Sequence, residues 1–157
     1  MCDYSLMNIP NRLAMEREVL VTHKFSSGSI GLASAEDVRK LQEPEHIVQR
    51  GLWRTLLDWI GSTPRRILCA VCIPPGGRLR VFGVPEQIQR ALGVCSIEEV
   101  TFTQITASAN QYRDALRFAN GREVLLQEMG TGVGVQVLNL SLADAPVPAS
   151  MERPIYR

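Results

Sequence analysis

From residue 18 to residue 140 the chain is cut into short runs of alternating apolar and polar residues, and glycine or proline stops most of them. Alternation sends successive side chains to opposite faces of a strand. Glycine and proline supply the turns between strands. A chain written this way is committed to many short strands. In residues 18–25, Val19, Val21, His23 and Phe25 alternate with Leu20, Thr22 and Lys24, and this reading turns the first set inward. Ser26, Ser27 and Gly28 make a turn, and residues 29–33 return as the hairpin partner. Residues 67–73 are apolar on both faces, the pattern of a covered central strand. After Pro74, Pro75, Gly76 and Gly77, residues 78–82 return as a hairpin with Arg78 and Arg80 exposed.

The last third reads as a meander. Residues 100–106 form a strand, and residues 112–118 and 122–129 form two more around Asn120-Gly121, a strong hairpin signal. A two-residue loop there sets Phe118 opposite Glu123, Leu116 opposite Leu125 and Arg113 opposite Glu128. Residues 133–140 make the final strand.

Helical signals separate these runs. Ser34 is a helix N-cap with Asp37 three residues on, and Pro44 stops that helix near Glu43. Residues 44–60 place Val48, Leu52, Leu56, Trp59 and Ile60 on one stripe at helical spacing, closed by Gly61. A third helix covers residues 86–92, between Pro85 and Gly93. The expected fold is α+β: a curved mixed or antiparallel sheet, or a small β-barrel, of about six to eight short strands with one long covering helix and two short helices. Residues 1–144 read as a single globular domain, and residues 145–157 as a Pro-rich C-terminal tail.

Composition narrows the function. Of 157 residues, 45% are hydrophobic and 21% charged, which excludes disorder. A net charge of +1 excludes nucleic-acid binding by bulk electrostatics. No apolar run approaches the roughly 20 residues of a membrane helix. The first residues lack a secretory pattern, so the expected compartment is the cytoplasm, where thiols stay reduced. The basic residues are fifteen arginines and two lysines, a composition able to grip an acidic small-molecule ligand in an arginine-lined pocket. Trp53 and Trp59, with Arg50, Arg54, Arg65 and Arg66 nearby, supply the residue types that anchor interfaces, including those of a homo-oligomer.

Four cysteines, Cys2, Cys69, Cys72 and Cys95, are read as core residues, ligands or nucleophiles rather than disulfides. Cys69 and Cys72 have the C-x-x-C spacing, but residues three apart on a strand point to opposite faces, so they are read as two independent residues. His23 stands on an apolar strand face, where an imidazole serves as a ligand or general base. Cys2 places a thiol near the chain start; loss of Met1 would set it beside the α-amine as a nucleophile with a built-in base. Cys2 and His23 therefore form the candidate catalytic pair. With Cys72 they form a candidate sulfur–nitrogen site for zinc, iron or copper. Asp114 is a lesser candidate acid. His46, beside Glu43 and Glu45, reads as a solvated helix residue.

Two stretches, residues 1–6 (Met-Cys-Asp-Tyr-Ser-Leu) and residues 112–118 with 120–127, resemble a group of short bacterial proteins that open in this way. The resemblance implies a bacterial cytosolic origin and transfers no catalytic residue. Taken together, the residues define a small protein with a thiolate–imidazole metal or reactive-thiol site as the first expectation. A non-catalytic binding or regulatory module is the second.

Overall fold

The computed structural model describes residues 9–42, 68–105 and 112–141. In chain order these residues form β1 (Asn11–Leu13), β2 (Val19–Lys24), β3 (Ile30–Ser34), α1 (Ala35–Gln42), β4 (Ala70–Cys72), β5 (Arg78–Phe82), α2 (Glu86–Leu92), β6 (Ile97–Gln104), β7 (Asp114–Phe118), β8 (Glu123–Leu125), a 3-10 turn (Leu126–Met129) and β9 (Gly134–Asn139). All nine strands join one curled, mixed sheet in the order β1-β4-β3-β2-β9-β5-β6-β7-β8. This is the expected α+β curved sheet, with more strands than expected and with two α-helices among the described residues. The long helix expected over residues 44–60, with Trp53 and Trp59, lies outside the described residues, as does the tail.

Alternation alone places most of the core. Along β5, Leu79 and Val81 are buried while Arg78, Arg80 and Phe82 are exposed. The buried face of the sheet gathers Leu20, Leu32, Val71, Val100, Leu116 and Val135, among others, into the main core. Leu126 and Met129 of the 3-10 turn join this core, and the turn touches β3 as well as β7 and β8. Strands from both halves of the sheet therefore meet across the curl. Gln127 closes this side. Its Oε1 accepts the Ile30 backbone N–H at 3.0 Å, and its Nε2 donates to the Ile30 carbonyl at 2.8 Å. A side-chain amide thus supplies the two bonds a neighbouring strand would give.

Four expectations are corrected. First, β4 and β5 do not form a hairpin. β5 pairs with β6 and β9, whereas β4 pairs with β3 and, in parallel, with β1. Second, β9 does not extend the meander; it lies between β2 and β5. Third, the Asn120-Gly121 hairpin runs one residue out of the expected register, with Arg117 opposite Glu123, Leu116 opposite Val124 and Ala115 opposite Leu125. Gly121 N–H donates to the Phe118 carbonyl, and Phe118 N–H donates to the Arg122 carbonyl. With Gly121 at φ +80°, this is a three-residue loop with a left-handed glycine rather than a two-residue turn. Residues 126–129 then wind into the 3-10 turn instead of continuing the strand.

The fourth correction concerns β2. Its deepest residues are Leu20 and Thr22, at 0% and 2% exposed, while Val21 and His23 are half-buried and Val19 is exposed. The expected inward face is the outer one. Thr22 is buried at little cost because its Oγ1 accepts the Val133 N–H at 2.9 Å.

The helices obey their caps. Ser34 Oγ accepts the Asp37 N–H at 3.4 Å at the start of α1, and α1 packs on β2 and β3. Gly93 ends α2 in the left-handed conformation at φ 62°. On the outer face, Ile9, Phe25, Ala33, Val38, Ala70 and Cys72 form a second, smaller apolar cluster, with Val38 supplied by α1.

Candidate functional site

His23 and Cys72 both belong to the outer face of the sheet, at the small apolar cluster. His23 pairs in register with Gly31 on β3, and two residues along β3 Ala33 pairs with Ala70 on β4. Cys72 follows Ala70 by two residues and shares its face. One strand separates the two residues, a backbone span of about 10 Å at the usual strand spacing. The β3 residue opposite His23 is Gly31, which has no side chain.

Each residue is held differently. The His23 ring meets Phe25 edge-on, with centroids 5.4 Å apart and planes at 82°. Phe25 is buried in the cluster, so it orients a half-buried imidazole from the inside. An edge-on aromatic contact of this kind fixes a ring without using its nitrogens. Cys72 ends β4, is 3% exposed, and pairs in register with Leu13 of β1. Its backbone carbonyl accepts the Ala14 N–H at 2.9 Å, which fixes the strand end that carries the sulfur.

The cysteines do not share one state. Cys69 and Cys95 are free thiols, half-buried and exposed respectively. The Cys69 thiol points toward the Ala70 carbonyl at 3.6 Å. Cys72 is disulfide-bonded. The expectation of reduced cysteines is corrected at this position. A disulfide needs two β-carbons within about 4 Å of one another, a condition that chain spacing does not reveal. With Cys69 free and Cys72 bonded, the C-x-x-C pair is not a shared dithiol, in line with residues three apart on a strand diverging. Cys2, the third member of the expected site, lies outside the described residues, as does His46.

Among the described residues no group of three or more histidine, cysteine, aspartate or glutamate side chains is arranged to hold a metal ion. The pair that is placed, His23 and Cys72, supplies one nitrogen and, after reduction, one sulfur. Asp114 opens β7 at the strand end, where its Oδ1 accepts from Gln104 Nε2 at 3.1 Å.

Several charged side chains in the other half of the sheet pair with one another. Glu99 is gripped by Arg78 and Arg80, each at 2.9 Å. Both arginines hold its carboxyl below the usual range, Arg80 most strongly through its hydrogen bond. Arg117 meets Glu123 at 2.8 Å. These three arginines are therefore engaged with protein carboxylates, which leaves the expected acidic-ligand pocket without support from them. At the β1 end Arg12 forms a two-pronged ion pair with Glu18. The Arg12 hydrogen bond drives the Glu18 carboxyl below its ordinary range against the opposing effect of burial, and the Met15 N–H adds to it.

The sequence pointed to His23 and Cys72 as chemistry-bearing residues. It missed the disulfide, and it missed Gly31 as the residue between them. Only the alternation of residues 29–33 hinted that Gly31 would lie beside His23. No helix among the described residues is long and apolar enough to cross a membrane. In comparison with known proteins, no family model, curated protein or solved structure matches this chain.

Proposed function

We propose that this protein is a small cytoplasmic thiol-switch module whose reactive atom is the Cys72 sulfur and whose neighbouring nitrogen donor is His23. The observation that carries the reading is the disulfide at Cys72, on the same sheet face as His23. In a reducing compartment, disulfides are mostly transient and belong to catalytic or redox-sensing sites. Burial of Cys72 makes exchange slow and selective, because an attacking thiolate must reach a covered sulfur.

The chemistry is thiol–disulfide exchange with a low-molecular-weight monothiol. A thiolate from the small thiol attacks one sulfur of the disulfide and expels the other as thiolate, leaving a mixed disulfide. A second molecule of the small thiol attacks that intermediate, releasing the last protein thiol and the small disulfide. Two electrons pass from the small thiols to the protein, and the two protein thiolates take up protons when they are not metal-bound. Reduction thus frees the Cys72 sulfur on the sheet face that also carries His23, and sulfur with imidazole nitrogen is a donor combination suited to zinc, iron or copper. Cys2 is the candidate third donor.

Cobalt(II) tests this, since thiolate coordination gives it a strong near-ultraviolet charge-transfer band. Protein reduced and desalted without oxygen should develop the band, and untreated protein should not. Cys72→Ser and His23→Ala should each weaken it at least tenfold in apparent affinity. Equal cobalt uptake by reduced and untreated protein, or uptake unaffected by Cys72→Ser, would overturn the proposal.

A further inference from the structure

α2 is the connection between two strands that already lie side by side. β5 pairs with β6 over its whole length, from Arg78 opposite Thr101 to Phe82 opposite Ile97. The chain leaves the sheet at Phe82, forms α2, and returns at Ile97. Lifting that connection breaks no strand pair. Much of its hydrogen bonding is internal. Gln89 Nε2 donates to the Val84 carbonyl at 2.7 Å, the Val94 N–H donates to the Gln89 carbonyl at 3.1 Å, and Arg90 pairs with Glu86 at 3.1 Å. The Val84 N–H donates to the Ser96 carbonyl at 3.1 Å and draws the base of the connection together. The segment is therefore built to move as one body.

Its hold on the rest of the protein is light. No residue of α2 is buried. Ile88 and Leu92, with Val94 just beyond, are half-buried and rest against the main core. A helix with so few buried apolar contacts belongs to the low-stability end of a structure. A glycine of positive φ stands on either side of it, Gly83 at 76° and Gly93 at 62°. Both lie in open space, so the chain has room to turn there. Two side chains of the β7–β8 loop reach across to the helix end. Asn120 Nδ2 donates to the Leu92 carbonyl at 2.9 Å, and Arg122 Nη1 donates to the Ala91 carbonyl at 2.7 Å. The last carbonyls of a helix lack partners within it, and a cation suits that end of its dipole. Both bonds are exposed to solvent, where water competes for them.

We infer that α2 is a lid on the main core, hinged at Gly83 and Gly93 and latched at its C-terminal end by Asn120 and Arg122. When it lifts, the sheet stays paired and the end of the core that holds Val81, Val100 and Phe118 is uncovered. The device does not depend on the thiol-switch reading.

Native-state hydrogen exchange on the full chain tests it. Relative to intrinsic rates, the amides of Gln89 to Leu92 should exchange together, roughly a hundredfold or more faster than those of Leu79, Val81 and Phe102 on β5 and β6. Their rates should respond weakly to denaturant, because local opening exposes little surface. Arg122→Ala should quicken the α2 amides by roughly threefold or more and leave the strand amides unchanged. Its backbone carbonyl still receives the Phe118 N–H, so the hairpin is kept. Asn120→Asp retains the oxygen that accepts the Arg122 N–H but loses the donor to Leu92, and should act in the same way. α2 amides that exchange at the strand rate, with the strand's denaturant dependence, would show that α2 opens only with the whole protein and would overturn the lid. Local opening that neither substitution accelerates would overturn the latch. Strand amides quickened as much as those of α2 would assign the two side chains to the sheet and would also overturn the latch.

Discussion

The Phe82 ring lies over the backbone of Gly134, so close that a β-carbon on Gly134 would collide with Cδ2, Cε2 and Cζ of the ring. The two residues face each other across β5 and β9, at the seam where the two halves of the sheet meet. The glycine is required here for space, since any side chain would evict the ring.

Gly134→Ala should therefore destabilise the protein by about 1–3 kcal/mol, the usual range for overpacking. The Phe82 side chain is partly exposed and can swing away, which favours the lower half of that range. In a Phe82→Ala background most of the cost should vanish. Urea unfolding of the two single variants and the double variant measures this coupling. Additive losses would show that the ring is not what excludes the methyl group.

Gln127→Ala should cost about 1–3 kcal/mol, because the Ile30 N–H and carbonyl would both lose their partner. Gln127→Glu keeps an acceptor for the N–H but sets a carboxylate against the carbonyl oxygen, and should be no better than alanine. Chemical denaturation of the three proteins at neutral pH provides the comparison.

Glu18 links stability to acid. Its carboxyl titrates below the ordinary range, chiefly because Arg12 hydrogen-bonds the charged form. A depressed folded-state value means that the native state binds the proton less readily than the unfolded chain does. The stabilisation is therefore complete above the unfolded-state value of about 4.3 and is lost as pH falls through the lower folded-state value. Glu18→Gln should be less stable than the parent by about 1 kcal/mol at pH 7, a figure kept small by the partial exposure of Arg12. The gap should close at acid pH, below about 4. Melting temperatures of both proteins across the acid range would show it; a gap independent of pH would assign the effect to packing.

Gly121 holds φ +80° at the end of the β7–β8 loop. Gly121→Ala should cost about 1–2 kcal/mol, because a β-carbon is disfavoured in that conformation, while Gly121→Asn should recover part of it. Equal losses in thermal unfolding would mean that the loop changes shape rather than bearing the strain.

The local rules were legible and the long-range ones were not. The strict alternation of Arg78–Phe82, the Ser34 cap and the Gly93 stop each act within a few residues, and each appears where the pattern placed it. The face of β2 was misread because threonine counts as polar in a pattern, whereas Thr22 finds its partner in Val133, 111 positions away. The Asn120-Gly121 register failed for a narrower reason: the dipeptide serves two loop lengths, and Arg117–Glu123 stabilises the longer one. At the site, His23 and Cys72 could be picked out as reactive types, and Phe25 as a companion of His23. That Cys72 carries a disulfide depends on which sulfur comes to rest beside it, which no local pattern encodes.

β9, near the end of the described chain, is the strand that stitches β2 to β5. On the ribosome, then, the two half-sheets emerge well before their common border exists, each with a bare flank of unpaired backbone groups. Completion of the described sheet waits on β9, the last of its strands in chain order, so its assembly should be slow and dominated by contacts between distant parts of the chain. A nascent protein stalled before residue 134 would present two adhesive flanks to its neighbours, and aggregation during synthesis is the hazard built into this topology.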